Sequence, residues 1–305
     1  MIRFLSKRLI QSIFAVFGIT VIVFIVLNIA GDPVALMLPE TASFAEIEEM
    51  REKLGYNDPL LIQYWRFLTS ALRGDFGMSY HYHLPALQVV LERVPATVTL
   101  ATSAMCVALT VGIPAGIIAA VRRNTMLDTV IRTLALLGQC VPAFWLGIMM
   151  MLLFAVKLKV LPTSGFQTWS ALIMPATTLG LFSAAMITRM LRSNMIEIMS
   201  KEYIDVAKAK GLGSWMIIMK HAFKNALSSV MTVIGLQVAS LLGGSVITET
   251  VFAWPGIGRL LVQSINNSDF MVVEVIAILM ATAFVAVNFI VDVLYCVINP
   301  RIRIM

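Results

Sequence analysis

Six apolar stretches, each near the ~20 residues that carry a helix across a bilayer, divide this 305-residue chain. Nothing else in it constrains the fold as much. Inside a membrane no water is at hand for backbone N–H and C=O groups, so such a segment must bond to itself as a helix. The stretches run roughly over residues 9–30, 96–121, 130–156, 171–188, 227–248 and 271–298. The fourth is short and carries Pro175 and Gly180, which makes it the weakest span. The first has an apolar core longer than the ~7–15 residues of a secretory signal. No good cleavage site follows it, so it reads as a retained span.

Composition agrees. Apolar residues make up 59% of the chain and charged residues 13%, against about 45–50% and about 25% in soluble proteins, so the bilayer is the solvent. No basic run interleaved with aromatics points to nucleic acid. Cys106, Cys140 and Cys296 lie far apart in apolar stretches, without Cys-x-x-Cys or His/Cys ligand spacing, and read as packing residues. Neither a Walker-type glycine-rich loop nor His-Glu-x-x-His is present, so the chain is expected to be no enzyme and to hold no cofactor or metal.

Charge sets the orientation. With the N-terminus inside, 15 of the 23 Lys and Arg fall on the cytoplasmic side, the bias that cytoplasmic loops carry. Both termini are then cytoplasmic. Residues 31–95, with nine acids and five bases, are too polar to span. Two helices fit this segment, 44–54 stopped by Gly55 and 60–72 stopped by Gly74. They would form a small extracytoplasmic insertion between the first and second spans of an otherwise single domain, 1–305.

Between the fourth and fifth spans lies a polar, basic island, residues 189–226. A chain that only has to turn round needs far fewer residues. Ser200 can cap a helix over 203–210, Gly211 can end it in the left-handed region, and Ser214 can cap the next one. Ile204, Ala207 and Leu212 would form a narrow apolar ridge for a groove on a partner, flanked by Lys208 and Lys210, with Asp205 as an opposite charge. The bias toward positive inner loops explains the lysines but not the hinge, the ridge or the length.

The island resembles the EAA loop of ABC-importer permeases. Asp205-Val206-Ala207 followed by Gly211 matches the start of that pattern, with Asp for Glu and Val for the first Ala, and its end falls on His221, Phe223 and Lys224. The peptide-type permeases are similar along nearly the whole chain. The likeness is carried by Gly31-Asp-Pro-Val34, Gly74-Asp-Phe-Gly77, the run from Ala207 to Leu212 with that from His221 to Ala226, the run from Glu249 to Arg259, Asp292-Val-Leu-Tyr295, and Asn299-Pro-Arg-Ile-Arg303.

The resemblance implies an all-α integral membrane protein with six transmembrane helices in the type I ABC importer permease fold, multi-pass in a bacterial inner membrane. It implies the B-type permease of a dipeptide, oligopeptide, glutathione or nickel importer. Expected partners are a second homologous permease, two ATP-binding subunits that hold ATP and Mg, and an extracytoplasmic substrate-binding protein. Tyr203, Asp205, Ala207, Lys208, Lys210, Gly211, Leu212 and His221 would couple the spans to the ATP-binding subunits. An ATP-independent secondary transporter is the remote alternative; it leaves the island unexplained.

Glu249, with Trp254, Pro255 and Gly256, is expected at an outer gate or binding-protein contact, or in a structural role. Gln237 and Asn288 sit deep in spans, where polar groups are costly and default to function; they line the path or tie helices together. Glu274 and Asp292 lie near span ends, where side chains reach water, and Asp292 should pair with a nearby base or cap a neighbouring loop. His81 and His83 have no third ligand beside them and make a weak metal site.

Overall fold

The computed structural model describes residues 2–30, 43–166 and 168–298 and is helical almost throughout. The first and last quoted motifs, Gly31–Val34 and Asn299–Arg303, lie outside the described residues. The first span is α1, Ile2–Ala30. The next two helices, α2 (Phe44–Leu54) and α3 (Leu60–Leu72), have the bounds expected from the sequence. A capping box starts α2, with the Ser43 N–H donating to Glu46 at 2.7 Å. Those bonds hold the Glu46 carboxyl below the usual carboxylate range. Gly55 ends the helix at φ +73°, a conformation glycine adopts without steric cost. Tyr64 and Phe67 of α3 pack against Phe17 and Phe24 of α1, and so lay the insertion on the first span.

A short helix, α4 (Ala86–Leu91), leads into the second span, α5 (Val94–Val121). The third span departs from expectation. Instead of one helix over 130–156, α6 (Met126–Cys140) and α7 (Ala143–Met150, continued by a π-helical turn, Met151–Lys157) meet at a 102° bend. The cause is local: proline disfavours the α region in the residue before it, and Val141 is extended at ψ 123° ahead of Pro142. The fourth stretch, expected to be the weakest, is the longest of the helices, α8 (Trp169–Met199), and its apolar window is 72% buried. Small residues share its buried face with Leu172, Met174, Leu179, Ile187, Leu191 and Met195.

Every fourth residue of α5, namely Ala104, Ala108, Gly112 and Gly116, is small and buried, and so are Ala176, Gly180, Ala184 and Thr188 of α8. Aligned small residues let helix backbones approach closely in lipid. The Thr188 hydroxyl donates across the seam to the Gly112 carbonyl at 3.2 Å. A Cβ on Gly180 would lie 2.6 Å from the Ala104 carbonyl oxygen and 2.8 Å from the Val107 Cβ. Gly180→Ala is therefore expected to force the two helices apart and destabilise the protein by about 1–3 kcal/mol; a thermal melt of the detergent-purified protein checks this.

The island itself forms α9 (Glu202–Ala209) and α10 (Ser214–Met216). A π-helical turn, Ile217–Phe223, then joins the fifth span, α11 (Lys224–Gly244). This span stops short of the expected residue 248, and α12 (Val246–Val251) and α13 (Ile257–Asn266) follow at the far end. The last span is α14, Phe270–Ile298. Among the described residues four helices can cross a bilayer, or six with each bent pair taken as one span. Arg8 reaches Asp292 at 3.3 Å, the pairing expected for that aspartate. It sets the start of α1 beside the end of α14, at the end of the bundle that also holds α9.

Candidate functional site

The polar island is built differently from its sequence reading. Neither serine caps a helix: Lys201 and Gly213 hold the N-cap positions without side-chain bonds, and the Ser200 hydroxyl donates back to the Glu197 carbonyl at 2.8 Å. The C-terminus does follow expectation. Gly211 sits at φ +75°, with its N–H on the Lys208 carbonyl and the Leu212 N–H on the Ala207 carbonyl, the paired bonds of a Schellman ending.

The apolar ridge is not offered to a partner. Ile204 and Ala207 are buried with Ile217, and Leu212 packs against them, because folding the hinge back lets α9 cover its apolar side on its own chain. Asp205 and Lys208 pair with each other at 2.8 Å on the surface, an interaction that water leaves weak. What α9 leaves open is Tyr203, beside the buried ridge, and Val206, on the side away from Ile204, with Lys210 beyond them and Trp215 of α10 73% exposed. Val206 and Trp215 are the residues the sequence reading missed. Their signal was an apolar side chain, Val206, outside the Ile204–Ala207 ridge, and a tryptophan in an otherwise polar turn. His221 lies in the π-helical turn, where its carbonyl accepts from Asn225, which also donates to the Tyr203 hydroxyl.

At the other end of the bundle Glu249 is wholly buried. Its Oε1 accepts from the Thr97 and Ser245 hydroxyls, each at 2.8 Å, and its Oε2 accepts from the Arg259 N–H at 3.1 Å. The carboxylate thus caps the N-terminus of α13, where negative charge is favoured. Thr97 passes the contact on by accepting the Ile257 N–H at 2.8 Å, and Trp254 donates its indole N–H to the Ala96 carbonyl at 2.9 Å. Gly256 and Gly258 lie against the carboxylate, where a Cβ on either would press into it. Direct contact of Glu249, Trp254 or Gly256 with a docked protein is therefore not available in this conformation; only Pro255 of the four is partly exposed. A second tie holds the insertion down. Buried Ser79 donates to Asp269 at 2.5 Å, and the His81 N–H donates to the same oxygen. Burial, with Tyr56 and Asp269 nearby, pushes the Tyr80 phenol up.

The two deep amides part company. Gln237 accepts from Ser183 at 3.0 Å and ties α11 to α8, whereas Asn288 donates to the Phe284 carbonyl of its own helix. Glu274 is half-buried and has no hydrogen-bond or ion-pair partner among the described residues. The ring of His81 rests edge-on against Tyr82, and no group of three metal-ligating side chains occurs among the described residues.

Two family models cover most of the chain: “Binding-prot-dependent transport system membrane comp, N-term” over residues 1–101 and “Binding-protein-dependent transport system inner membrane component” over residues 112–304. The chain belongs to this family of inner membrane transport components. The glutathione transport system permease protein GsiC of Escherichia coli (strain K12) is 39% identical over 304 residues, 99% of each chain. The protein of the same name from Shigella dysenteriae serotype 1 (strain Sd197) is similar to the same extent. The inward-facing MetNI methionine ABC transporter, in its CY5 native crystal form, shares the fold at TM-score 0.60 and 19% identity, over 70% of this chain and 97% of that one. The chain is a permease subunit of an ABC importer.

For such a permease the described structure adds an inner clasp that sequence reading missed. Asp128, in the first turn of α6, has no exposed surface and receives Arg192 of α8 on both oxygens, at 2.7 and 2.8 Å. Arg132 stands 3.4 Å away, and the Asn124 N–H donates at 2.9 Å. This pairing joins the start of α6 to the last third of α8, ahead of the polar island.

Proposed function

We propose that this permease forms half of the translocation path of an ATP-driven importer of glutathione or a short peptide. The observation that carries the substrate class is the 39% identity, over 99% of both chains, to a glutathione transport system permease. In this reading it lies in a bacterial inner membrane with both termini cytoplasmic. A second homologous permease completes the path, two ATP-binding subunits carry ATP and Mg and do the hydrolysis, and an extracytoplasmic protein delivers substrate. The chain itself holds no cofactor and catalyses no reaction. The docking turn transmits closure of the ATP-binding subunits to the spans, a two-state equilibrium biased by nucleotide. The Glu249 cluster keeps the outer loop in one shape while the spans move.

The test begins with gentle detergent purification of the tagged chain from its host and mass identification of what accompanies it. The recovered complex, placed in liposomes with ATP inside, should import labelled glutathione or a dipeptide. Import of nickel or a metal chelate in their place would move the substrate to that class. Uptake by the chain alone without ATP would overturn the reading.

The contact face makes a sharper demand. Val206→Glu would place an unpaired carboxylate in an apolar contact and should lower substrate-stimulated ATP hydrolysis by about tenfold or more. Unchanged stimulation would remove this face from the mechanism.

A further inference from the structure

The most buried span leaves one stripe open, and a charge stands in it. Phe182, Met186 and Arg189, spaced by four and three residues, are exposed on α8 while most of its other faces are covered. Arg189 lies ten residues before the end of α8 at Met199, about 15 Å along a helix axis. A long basic side chain in a span ordinarily turns its head to the nearer water. Arg189 does the reverse. Its Nη1 donates to the Gln139 side chain at 2.5 Å, and Gln139 stands eleven residues along α6 from the inner clasp at Asp128, about 16 Å deeper along that helix.

The surroundings of that guanidinium are rich in donors and poor in acceptors. Arg192, one turn away, has both carboxylate oxygens of Asp128. Arg189 has only an amide oxygen, and no ion pair among the described residues includes it. The amide nitrogen of Gln139 is buried and donates to no group among the described residues. Two residues further on, the Val141–Pro142 break interrupts the span. A charged group with this little compensation is costly in lipid, so the stripe faces water or a solute rather than acyl chains. Its chemistry matches a carboxylate, which accepts several charge-assisted hydrogen bonds from a guanidinium fork and an amide.

We propose that Arg189, held by Gln139 beside the break in the third span, is a carboxylate-binding point of the translocation path and engages a carboxylate of the transported solute as it passes. This rests on the importer reading above and names the residue that such a solute meets. The test uses the complete complex with its binding protein in liposomes, loaded with ATP. Initial uptake is measured for glutathione and its dimethyl ester and for alanylalanine and its amide, in the wild type, Arg189→Gln and Arg189→Lys.

Each variant is compared with the wild type on the same solute, so selection by the binding protein cancels. Arg189→Gln should slow uptake of the free carboxylates by about tenfold or more, the worth of a charged hydrogen bond. Arg189→Lys should recover much of that rate, and the ester and amide should be slowed far less. If the wild type carries neither blocked solute, the lysine variant decides. Equal slowing of every solute, no rescue by lysine, or an effect that disappears when anionic lipid is omitted would overturn the assignment; the last would hand Arg189 to a lipid phosphate. Should the wild type import the dipeptide but not glutathione, the glutathione reading fails and Arg189 is judged on the dipeptide. Import restricted to solutes without a carboxylate would overturn both.

Discussion

Glu249→Ala is expected to destabilise the permease by about 3–5 kcal/mol, the cost of breaking a buried charged network by removing one member. The carboxylate has no exposed surface and accepts from Thr97, Ser245 and Arg259, three donors that alanine would leave without it. Each buried donor left unsatisfied costs about 1–3 kcal/mol. No water reaches the site cheaply, because Gly256 and Gly258 bring the backbone directly against the carboxylate. Thermal unfolding of the detergent-purified complex should fall by about 6 °C or more. Glu249→Gln should be milder but not silent. One amide atom can still accept, yet its NH2 must then face a donor, either the Arg259 N–H or the two hydroxyls. A melting temperature unchanged in Glu249→Ala would show that the outer loop holds its shape without this carboxylate.

The second large effect belongs to the inner clasp. Asp128→Ala leaves Arg192, whose side chain is 18% exposed, without the carboxylate that fills both arms of its fork. Arg192→Ala leaves the fully buried Asp128 facing only Arg132 and the Asn124 N–H. Each single change is expected to cost about 3–5 kcal/mol. The double variant Asp128→Ala with Arg192→Ala should cost less than the sum of the singles, because neither charge is then stranded. The full double-mutant cycle, read as thermal stability of the complex, measures this. Additive losses would mean that the two residues act separately.

The sites differ in how far they could be read from residue order, and the difference is physical. The C-terminal ends of α2 and α3 were legible because Gly55 and Gly74 act through their own backbone neighbourhood. The break in the third span was also present in the chain, as Val141 before Pro142, but length and hydropathy masked it. The docking helix was half legible. Its Gly211 ending is local, whereas its open face depends on Ile217 returning from the next helix to cover Ile204 and Ala207. Tyr203, Ile204, Val206 and Ala207 all lie on α9, and nothing within it said which of them would be covered. Arg189 read as one more inner-loop cation, since neither its depth nor its orientation toward Gln139 exists before α6 and α8 pack.

By itself, then, the sequence determined that this chain lives in a bilayer, where its apolar stretches lie, which side its cations favour and that a hinged turn interrupts the spans. Those properties arise from apolar length and from backbone bonds closed within a few residues. Only the tertiary structure decided that Glu249 is an internal clamp, that Asp128 belongs to Arg192 and that Tyr203 and Val206 are the open side of the docking helix. The partners in these contacts are far apart in the chain, 152 residues for Glu249 with Thr97 and 64 for Asp128 with Arg192. A buried polar group takes whichever partner the packed spans bring within hydrogen-bond reach.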